Sequence, residues 1–101
     1  MKYNQIMNFY YVYVLQSEKD GKYYVGYTKD LNVRFEQHQK GQVQSTKSRL
    51  PFKLIYYEAS ISKEDALKRE KHLKTFYGKM YLAKRLKSYF TRQEEINLNR
   101  Q

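Results

Sequence analysis

Two stretches near the start of the chain have the residue types and the spacing of β-strands. Residues 9–16 (FYYVYVLQ) and residues 22–28 (KYYVGYT) are rich in β-branched and aromatic residues, and the turn-forming pair Asp20-Gly21 separates them. We therefore predict a β-hairpin. A third stretch of the same kind, residues 52–58 (FKLIYYE), predicts a third strand.

A short helix is predicted between the second and third strands. Residues 30–40 place Leu31 and Phe35 one helical turn apart, and Asp30 stands where an N-cap is expected. Gly41 follows the segment and marks its end. Leu31 and Phe35 then form the apolar side of this helix.

Two further helices are predicted in the C-terminal half. Residues 62–77 begin at Ser62, a capping residue, and keep helical spacing until Gly78 interrupts them. Residues 80–90 (MYLAKRLKSYF) repeat apolar residues at helical spacing and carry Lys and Arg on the other faces, which predicts a basic amphipathic helix. Residues 91–101 are expected to form a polar tail that frays.

The order of these elements is ββαβαα. It predicts an α+β fold in which a small three-stranded antiparallel sheet is flanked by three helices, within a single domain over residues 1–90. Residues 42–51 hold the only proline and show no apolar period, so we expect a basic surface loop there. A functional site in so small a domain must lie on the covered face of the sheet and at the helix edges beside it.

The composition adds a strong positive charge. Twenty Lys and Arg residues against ten Asp and Glu residues give a formal charge of +10, which favours a polyanionic partner. The absence of cysteine excludes a disulfide framework, a cysteine-ligated metal and a thiol nucleophile. The chain has no apolar run long enough to span a membrane and no features of a secretory signal. We therefore expect a cytoplasmic protein without a membrane partner, nucleoid-associated if it is bacterial.

Glu70 interrupts the apolar side of the second predicted helix. It shares helical spacing with Ala66, Leu73 and Tyr77, so its carboxylate is expected to point toward the sheet. An ionised carboxylate in such a place is costly unless a cation or a hydrogen-bond donor meets it. Two interpretations remain open: a buried ion pair with an arginine or lysine, or a ligand for a metal ion.

One side of the predicted hairpin carries two tyrosines and a glycine. Any loop with an even number of residues places Tyr13, Leu15, Tyr24, Gly26 and Thr28 on the same side of the sheet. The two phenols then cluster beside Gly26, which leaves room for a ligand or for a close backbone approach. The alternative is that Gly26 only allows packing and that the tyrosines belong to the core.

Arg34 and His38 are one turn apart on the first predicted helix, away from its apolar side. A solvated basic face explains them equally well. A functional interpretation gains weight only if the face that they share borders the hairpin.

The ordered set of these residues resembles the GIY-YIG nuclease domain. Residues 11–13 (YVY) and 24–26 (YVG) stand where the two family motifs stand, Arg34 and His38 follow on a helix, and Glu70 lies on a later helix. The resemblance covers residues 9–90 and is closest to small stand-alone members and to the N-terminal domain of excision-repair nucleases. It implies a divalent-metal-dependent endonuclease that hydrolyses phosphodiester bonds in DNA, with a role in DNA repair.

The resemblance also implies a role for each residue of the set. Tyr13 is similar to a general base or water-positioning phenol, Tyr24 to its supporting partner, and Arg34 to the group that contacts the scissile phosphate. His38 resembles an auxiliary hydrogen-bonding or proton-relay residue, and Glu70 the single protein ligand of one Mg²⁺ or Mn²⁺. A tyrosine base requires a pKa far below its usual value of about 10. We expect Arg34, the metal ion and neighbouring lysines to lower it.

Two positions depart from the pattern of homing-enzyme relatives. Thr46 and Lys47 replace a second histidine in the loop after the first helix, where Lys47 supplies positive charge instead. Lys84-Arg85 occupies the region of a late asparagine. These departures affect the expected proton path more than the expected activity.

Basic residues outside the motif set are expected to contact nucleic-acid phosphates, with little sequence preference. The candidates are Lys47, Arg49, Lys74, Lys84 and Arg85. Specificity must then come from the shape of the substrate or from an unidentified protein partner. Two alternatives to a nuclease remain: a non-catalytic module that binds DNA or RNA on the same fold, and a basic RNA-associated or ribosome-associated interaction protein.

Overall fold

The computed structural model describes residues 8–99. Within them the chain forms three strands and four α-helices. The strands are β1 (Tyr10–Ser17), β2 (Tyr23–Thr28) and β3 (Phe52–Ser60). The helices are α1 (Leu31–Gln39), α2 (Lys63–Leu73), α3 (Phe76–Arg85) and α4 (Lys87–Asn99). The predicted α+β class, the three-stranded antiparallel sheet and the order of its first elements are confirmed.

The sheet has the order β2-β1-β3, and both neighbours of β1 are antiparallel to it. The predicted hairpin closes through a four-residue loop: the backbone N–H of Ser17 donates to the carbonyl of Lys22 over 2.9 Å. Gly21, inside this loop, has a φ of 73°, a conformation that glycine adopts without strain. The loop length is even, so Tyr13 pairs with Gly26 and Leu15 pairs with Tyr24, on one side of the sheet, as predicted.

A β-bulge shifts the register between β1 and β3. Tyr13 pairs with Tyr57, but Leu15 pairs with Leu54, so β3 has one extra residue at this point. The shift brings Leu54 and Phe52 to the same side as Leu15. This side holds one core cluster, against which α1 packs its apolar residues. The core cluster consists of Tyr13, Leu15 and Phe52 with the partly buried residues Tyr24, Leu31, Phe35, Leu50 and Leu54.

Helix α1 begins and ends as predicted. The Asp30 side chain accepts a hydrogen bond from the backbone N–H of Val33 over 3.1 Å, so it caps the helix. The backbone N–H of Lys40 closes the last turn on Glu36, and Gly41 then leaves the helix with a φ of 72°. Local sequence signals therefore determine both ends of this helix.

Helix α2 begins where it was predicted but ends earlier. The Ser62 hydroxyl accepts from the backbone N–H of Asp65 over 3.3 Å, which confirms the cap. The prediction that the helix continues to Tyr77 and stops at Gly78 is wrong, because the Thr75 side chain accepts from the backbone N–H of Gly78 over 3.1 Å and starts α3. Tyr77 is accordingly 74% exposed and does not belong to the buried stripe.

Gly78 lies inside α3 and not at a helix end. A Cβ at this position would overlap the carbonyl oxygen of His72 and the backbone of Leu73. The glycine therefore allows the first turn of α3 to pass directly beside the last turn of α2, and its hydrogen side chain is needed for that packing.

The C-terminal segment also differs from the prediction. Residues 80–90 do not form one helix: α3 ends at Arg85, Leu86 caps it, and α4 begins at Lys87. The apolar spacing continues across Leu86, which is why periodicity did not reveal the break. The predicted polar tail is helical to Asn99, and its last two residues lie outside the described part of the chain.

The chain divides into two compact units, one ending at Glu70 and the other beginning at Lys71. All five residues predicted to be catalytic belong to the first unit. Three predicted nucleic-acid contacts, Lys74, Lys84 and Arg85, belong to the second. Over residues 8–99, the helices are too short or too polar to cross a lipid bilayer.

Candidate active site

The site is built around a hydrogen bond between a tyrosine and a histidine. The hydroxyl oxygen of Tyr13 lies 2.8 Å from Nε2 of His38. Tyr13 is 1% exposed and His38 is fully buried. Strand β1 directs Tyr13 toward the side of the sheet that α1 covers, and the last turn of α1 directs His38 to meet it. His38 therefore does not lie on a solvated basic face, which was one of the two interpretations of its position.

The other ring nitrogen of His38 makes a hydrogen bond with a threonine. Nδ1 of the imidazole lies 2.8 Å from the hydroxyl oxygen of Thr46, and Thr46 is also fully buried. The Thr46 hydroxyl makes a second, longer contact of 3.5 Å to the carbonyl oxygen of Val43. The sequence identified Thr46 only as part of a replaced segment. No pattern in the nearby sequence links Thr46 to His38, because their contact depends on the conformation of the loop that follows α1.

Tyr24 and Gly26 complete the surroundings of Tyr13. The Tyr24 ring centroid is 6.3 Å from that of Tyr13 and 5.1 Å from that of His38, so the three rings form one cluster. A Cβ on Gly26 would overlap the hydroxyl and ring of Tyr13. The space that the glycine leaves open is therefore filled by the Tyr13 phenol itself.

Arg34 and Glu70 both act electrostatically on Tyr13. Burial raises the pKa of Tyr13 to about 12, against the lowering effect of the Arg34 guanidinium, while the neighbouring Tyr24 phenol and Glu70 carboxyl group raise it further. Arg34 and Glu70 are half-buried, and Arg34 Nη1 donates to Oε1 of Gln37 over 3.0 Å. The fold thus brings Tyr24, Arg34 and His38 beside Tyr13 and places Glu70 within electrostatic range of it.

Of the groups expected to lower the pKa of Tyr13, Arg34 alone does not bring it to neutrality, and the effect of a bound metal ion stays a prediction. The guanidinium does lower this pKa, but burial in the core has the larger effect and raises it to about 12. Tyr13 consequently keeps its proton at neutral pH. It can accept a proton from another molecule only while it gives its own to a neighbour, and His38 Nε2 is in contact to receive it.

His38 is a neutral imidazole at neutral pH. Burial, followed by the positive charge of Arg34, lowers the pKa of His38 to about 4. A neutral imidazole has one nitrogen that donates and one that accepts a hydrogen bond. His38 therefore presents an acceptor nitrogen on one side and an N–H on the other.

The lowered pKa of His38 predicts a pH-dependent stability. Because the unfolded chain binds this proton from about pH 6.5 and the folded protein only near pH 4, the free energy of unfolding is expected to fall as the pH is lowered through this range, by about 3 kcal/mol. Urea unfolding at several pH values measures it. The His38→Phe variant should lack most of this slope, and an equal slope in both proteins would contradict the prediction.

The candidate metal ligand is a single carboxylate. Across residues 8–99, no group of three or more His, Cys, Asp and Glu side chains is arranged to hold a metal ion. Mg²⁺ commonly binds through one or two carboxylates while substrate phosphates and water fill its other positions. Glu70 fits such a site, because its half-buried carboxylate is near enough to Tyr13 to act on its hydroxyl.

The predicted nucleic-acid contacts differ in their surroundings. Lys47 is exposed on its loop. Arg49, in contrast, forms an ion pair of 2.9 Å with Asp20 and lies 5.6 Å from the centre of the Phe52 ring. In the second unit, Lys74, Lys84 and Arg85 are all exposed. Contact of these residues with phosphates stays a prediction, and Arg49 also has a structural role.

Comparison with known proteins gives a consistent family match. A family model described as the GIY-YIG catalytic domain matches residues 9–87. UPF0213 proteins of Staphylococcus aureus strains Mu50 and MW2 are each 44% identical over 71 residues, which is 69% of this chain and 85% of each relative. The solution NMR structure of a UPF0213 protein from Bacillus halodurans is 35% identical, with a TM-score of 0.49, and the match covers 75% of this chain and 83% of that one.

Proposed function

We propose that this chain, which belongs to the GIY-YIG family, is a divalent-metal-dependent endonuclease. Its proposed reaction is the hydrolysis of phosphodiester bonds in DNA. The GIY-YIG domain is a nuclease domain, so the substrate class is nucleic acid. The main structural support for the proposed hydrolysis is the 2.8 Å hydrogen bond between Tyr13 and His38. Arg34 and Glu70 act electrostatically on the same Tyr13 hydroxyl.

Phosphodiester hydrolysis requires a proton to leave the attacking water. The Tyr13 oxygen accepts that proton while its own proton passes to Nε2 of His38, so no free phenolate has to form first. Tyr24 packs against both rings and holds them in this arrangement. The aromatic cluster therefore positions a proton path on the side of the sheet that α1 covers.

Negative charge also builds on the phosphoryl oxygens and on the leaving oxygen. The Arg34 guanidinium, beside Tyr13, donates to the phosphoryl oxygens and stabilises that charge. Glu70 would hold one Mg²⁺ or Mn²⁺, which, when bound, supplies positive charge for the leaving oxygen. The chain's net charge of +10 supports binding to the phosphate backbone, with an affinity that falls as the salt concentration rises.

Nicking of supercoiled plasmid at low salt with Mg²⁺ or Mn²⁺ tests this function. Glu70→Gln and Arg34→Ala are each expected to lower the nicking rate by about 10²- to 10³-fold, because each removes a group that stabilises developing charge. Both variants are expected to keep binding the plasmid, measured by gel shift.

Two variants serve as matched controls. Glu64→Gln changes an exposed carboxylate in the first turn of the same helix as Glu70, and Lys40→Ala removes an exposed cation just after α1. Both should nick like the unaltered protein. If the unaltered protein and all variants bind plasmid and none nicks it under any metal condition, the nuclease proposal fails and a non-catalytic binding module is supported.

A further inference from the structure

We propose that Thr46 is a positioning residue that fixes the His38 imidazole with its proton on Nδ1, so that Nε2 stays unprotonated and faces the Tyr13 hydroxyl. Its effect on cleavage rests on the function proposed above. Its effect on the imidazole does not, and can be measured without any substrate.

The first support is an unused capping position. Thr46 is the N-cap residue of the short 3₁₀ turn Lys47–Arg49, where a threonine side chain normally accepts a hydrogen bond from the turn. Its side chain makes no such bond. The hydroxyl points instead to Nδ1 of His38 at 2.8 Å, and Thr46 is fully buried. The Thr46 side chain therefore makes its hydrogen bond with His38 and does not cap the turn that follows it.

The second support is the direction of the hydrogen bonds. The Thr46 hydroxyl has a single hydrogen, and the carbonyl oxygen of Val43, 3.5 Å away, can only accept. If that hydrogen goes to Val43, the Thr46 oxygen accepts from Nδ1–H of His38. Nε2 is then the acceptor, and the Tyr13 hydroxyl donates to it over 2.8 Å.

Arg34 favours the same direction. A guanidinium can only donate, and that of Arg34 acts on the Tyr13 hydroxyl. With the proton of Tyr13 directed to His38, a lone pair of the phenol oxygen is available to Arg34. In the reverse direction, Nε2–H and Arg34 would both donate to that oxygen, and Thr46 would turn its hydrogen away from Val43.

The third support is the way in which the loop carrying Thr46 is held. The Ser17 hydroxyl donates to the carbonyl oxygen of Arg49 over 2.6 Å, and the Arg49 side chain pairs with Asp20 at 2.9 Å. The backbone N–H of Glu18 donates to the carbonyl oxygen of Pro51 over 2.8 Å. The hairpin loop thus fixes the far end of the Thr46 loop, so the hydroxyl is placed before any substrate binds.

Nitrogen-15 NMR of the histidine rings tests the proposal, since protonated and unprotonated ring nitrogens have well-separated shifts. In the unaltered protein His38 is expected to show a protonated Nδ1 and an unprotonated Nε2. Thr46→Val keeps the shape of the side chain without its hydroxyl, and is expected to shift His38 toward the Nε2–H form. Thr46→Ser keeps the hydroxyl and is expected to restore the original form.

Nicking rates supply the second measurement. Thr46→Val is expected to lower the rate by about 10- to 100-fold with unchanged plasmid binding, as supporting groups around a reactive centre commonly do. Thr46→Ser should keep most of the activity, and Ser45→Ala, an exposed neighbour, should behave like the unaltered protein.

The NMR spectra and the nicking rates together distinguish failure of the Thr46 proposal from failure of the nuclease proposal. An Nε2–H form of His38 in the unaltered protein overturns the role of Thr46, and so does an unchanged ring in Thr46→Val. If Thr46→Val does not fold, the spectra of the unaltered protein and of Thr46→Ser still decide. Expected spectra with no nicking by any variant would support the role of Thr46 and contradict the nuclease function.

Discussion

Tyr13→Phe is expected to lower plasmid nicking at neutral pH by about 10²- to 10⁴-fold, the usual contribution of a positioned proton-transfer group. The phenylalanine ring fills the same space in the core but lacks the hydroxyl that contacts His38 Nε2 at 2.8 Å and interacts with Arg34. The proposed proton path then lacks the group that receives the proton of the attacking water. Initial nicking rates under single-turnover conditions measure the effect.

Tyr11→Phe is the matched control for this change. Tyr11 lies on the same strand and the same side of the sheet as Tyr13, and its ring contacts Tyr57. Loss of the Tyr11 hydroxyl should leave the nicking rate unchanged.

The pH dependence of the nicking rate gives a second test of the role of Tyr13. Transfer of the Tyr13 proton to His38 predicts a nearly flat rate between pH 6 and pH 8. A tenfold rise per pH unit would instead indicate that a free phenolate is required, since the pKa of Tyr13 is about 12.

Gly26→Ala is expected to damage both stability and activity. A Cβ at this position would overlap the Tyr13 hydroxyl and lie 2.9 Å from Cε1 of the same ring. Tyr13 is enclosed by the core and cannot move aside freely, so the expected loss is about 1–3 kcal/mol of folding free energy, typical of overpacking. For a domain of this size each kcal/mol lowers Tm by roughly 4–8 °C. Thermal unfolding measures the loss, and nicking well below Tm measures the displacement of Tyr13.

Two comparisons show whether the Gly26 effect acts through Tyr13. Gly21→Ala introduces strain in the hairpin loop, where φ is 73° and no atom lies within 4 Å of the new Cβ. It should destabilise the protein but leave nicking intact. In the Tyr13→Leu background, the overlapping hydroxyl, Cζ and Cε1 atoms are all absent, so Gly26→Ala should cost less stability than in the unaltered protein. Equal costs in both backgrounds would contradict this account.

The sequence was sufficient to predict that the residues of the candidate site on β1 and β2 share one side of the sheet. Side chains alternate along a strand, so an even hairpin loop of any length places Tyr13, Tyr24 and Gly26 together. The caps at Asp30 and Ser62 were also predictable, because each bonds a backbone N–H only a few residues away. Features that depend on short-range geometry were therefore accessible before the structure.

Features that depend on tertiary packing were not accessible. The bulge in β3 opposite Val14 and Leu15, the cap of α3 at Thr75 and the break at Leu86 leave the apolar period nearly unchanged. The effect of burial on the pKa of Tyr13 was not accessible either, because the sequence shows nearby charges but not the degree of burial. The contact of Thr46 with His38 depends on a loop that the hairpin fixes from a distant part of the chain.

The central position of β1 also bears on the order of folding. Its partner β2 follows after a four-residue loop, whereas β3 follows only after α1 and a long loop. Closing the short loop costs less chain entropy, so the hairpin is favoured as the first paired element, and β3 joins later. Tyr13, Tyr24 and Gly26 therefore acquire their register early. His38 and Thr46 enclose the phenol only when the rest of the first unit condenses on that hairpin.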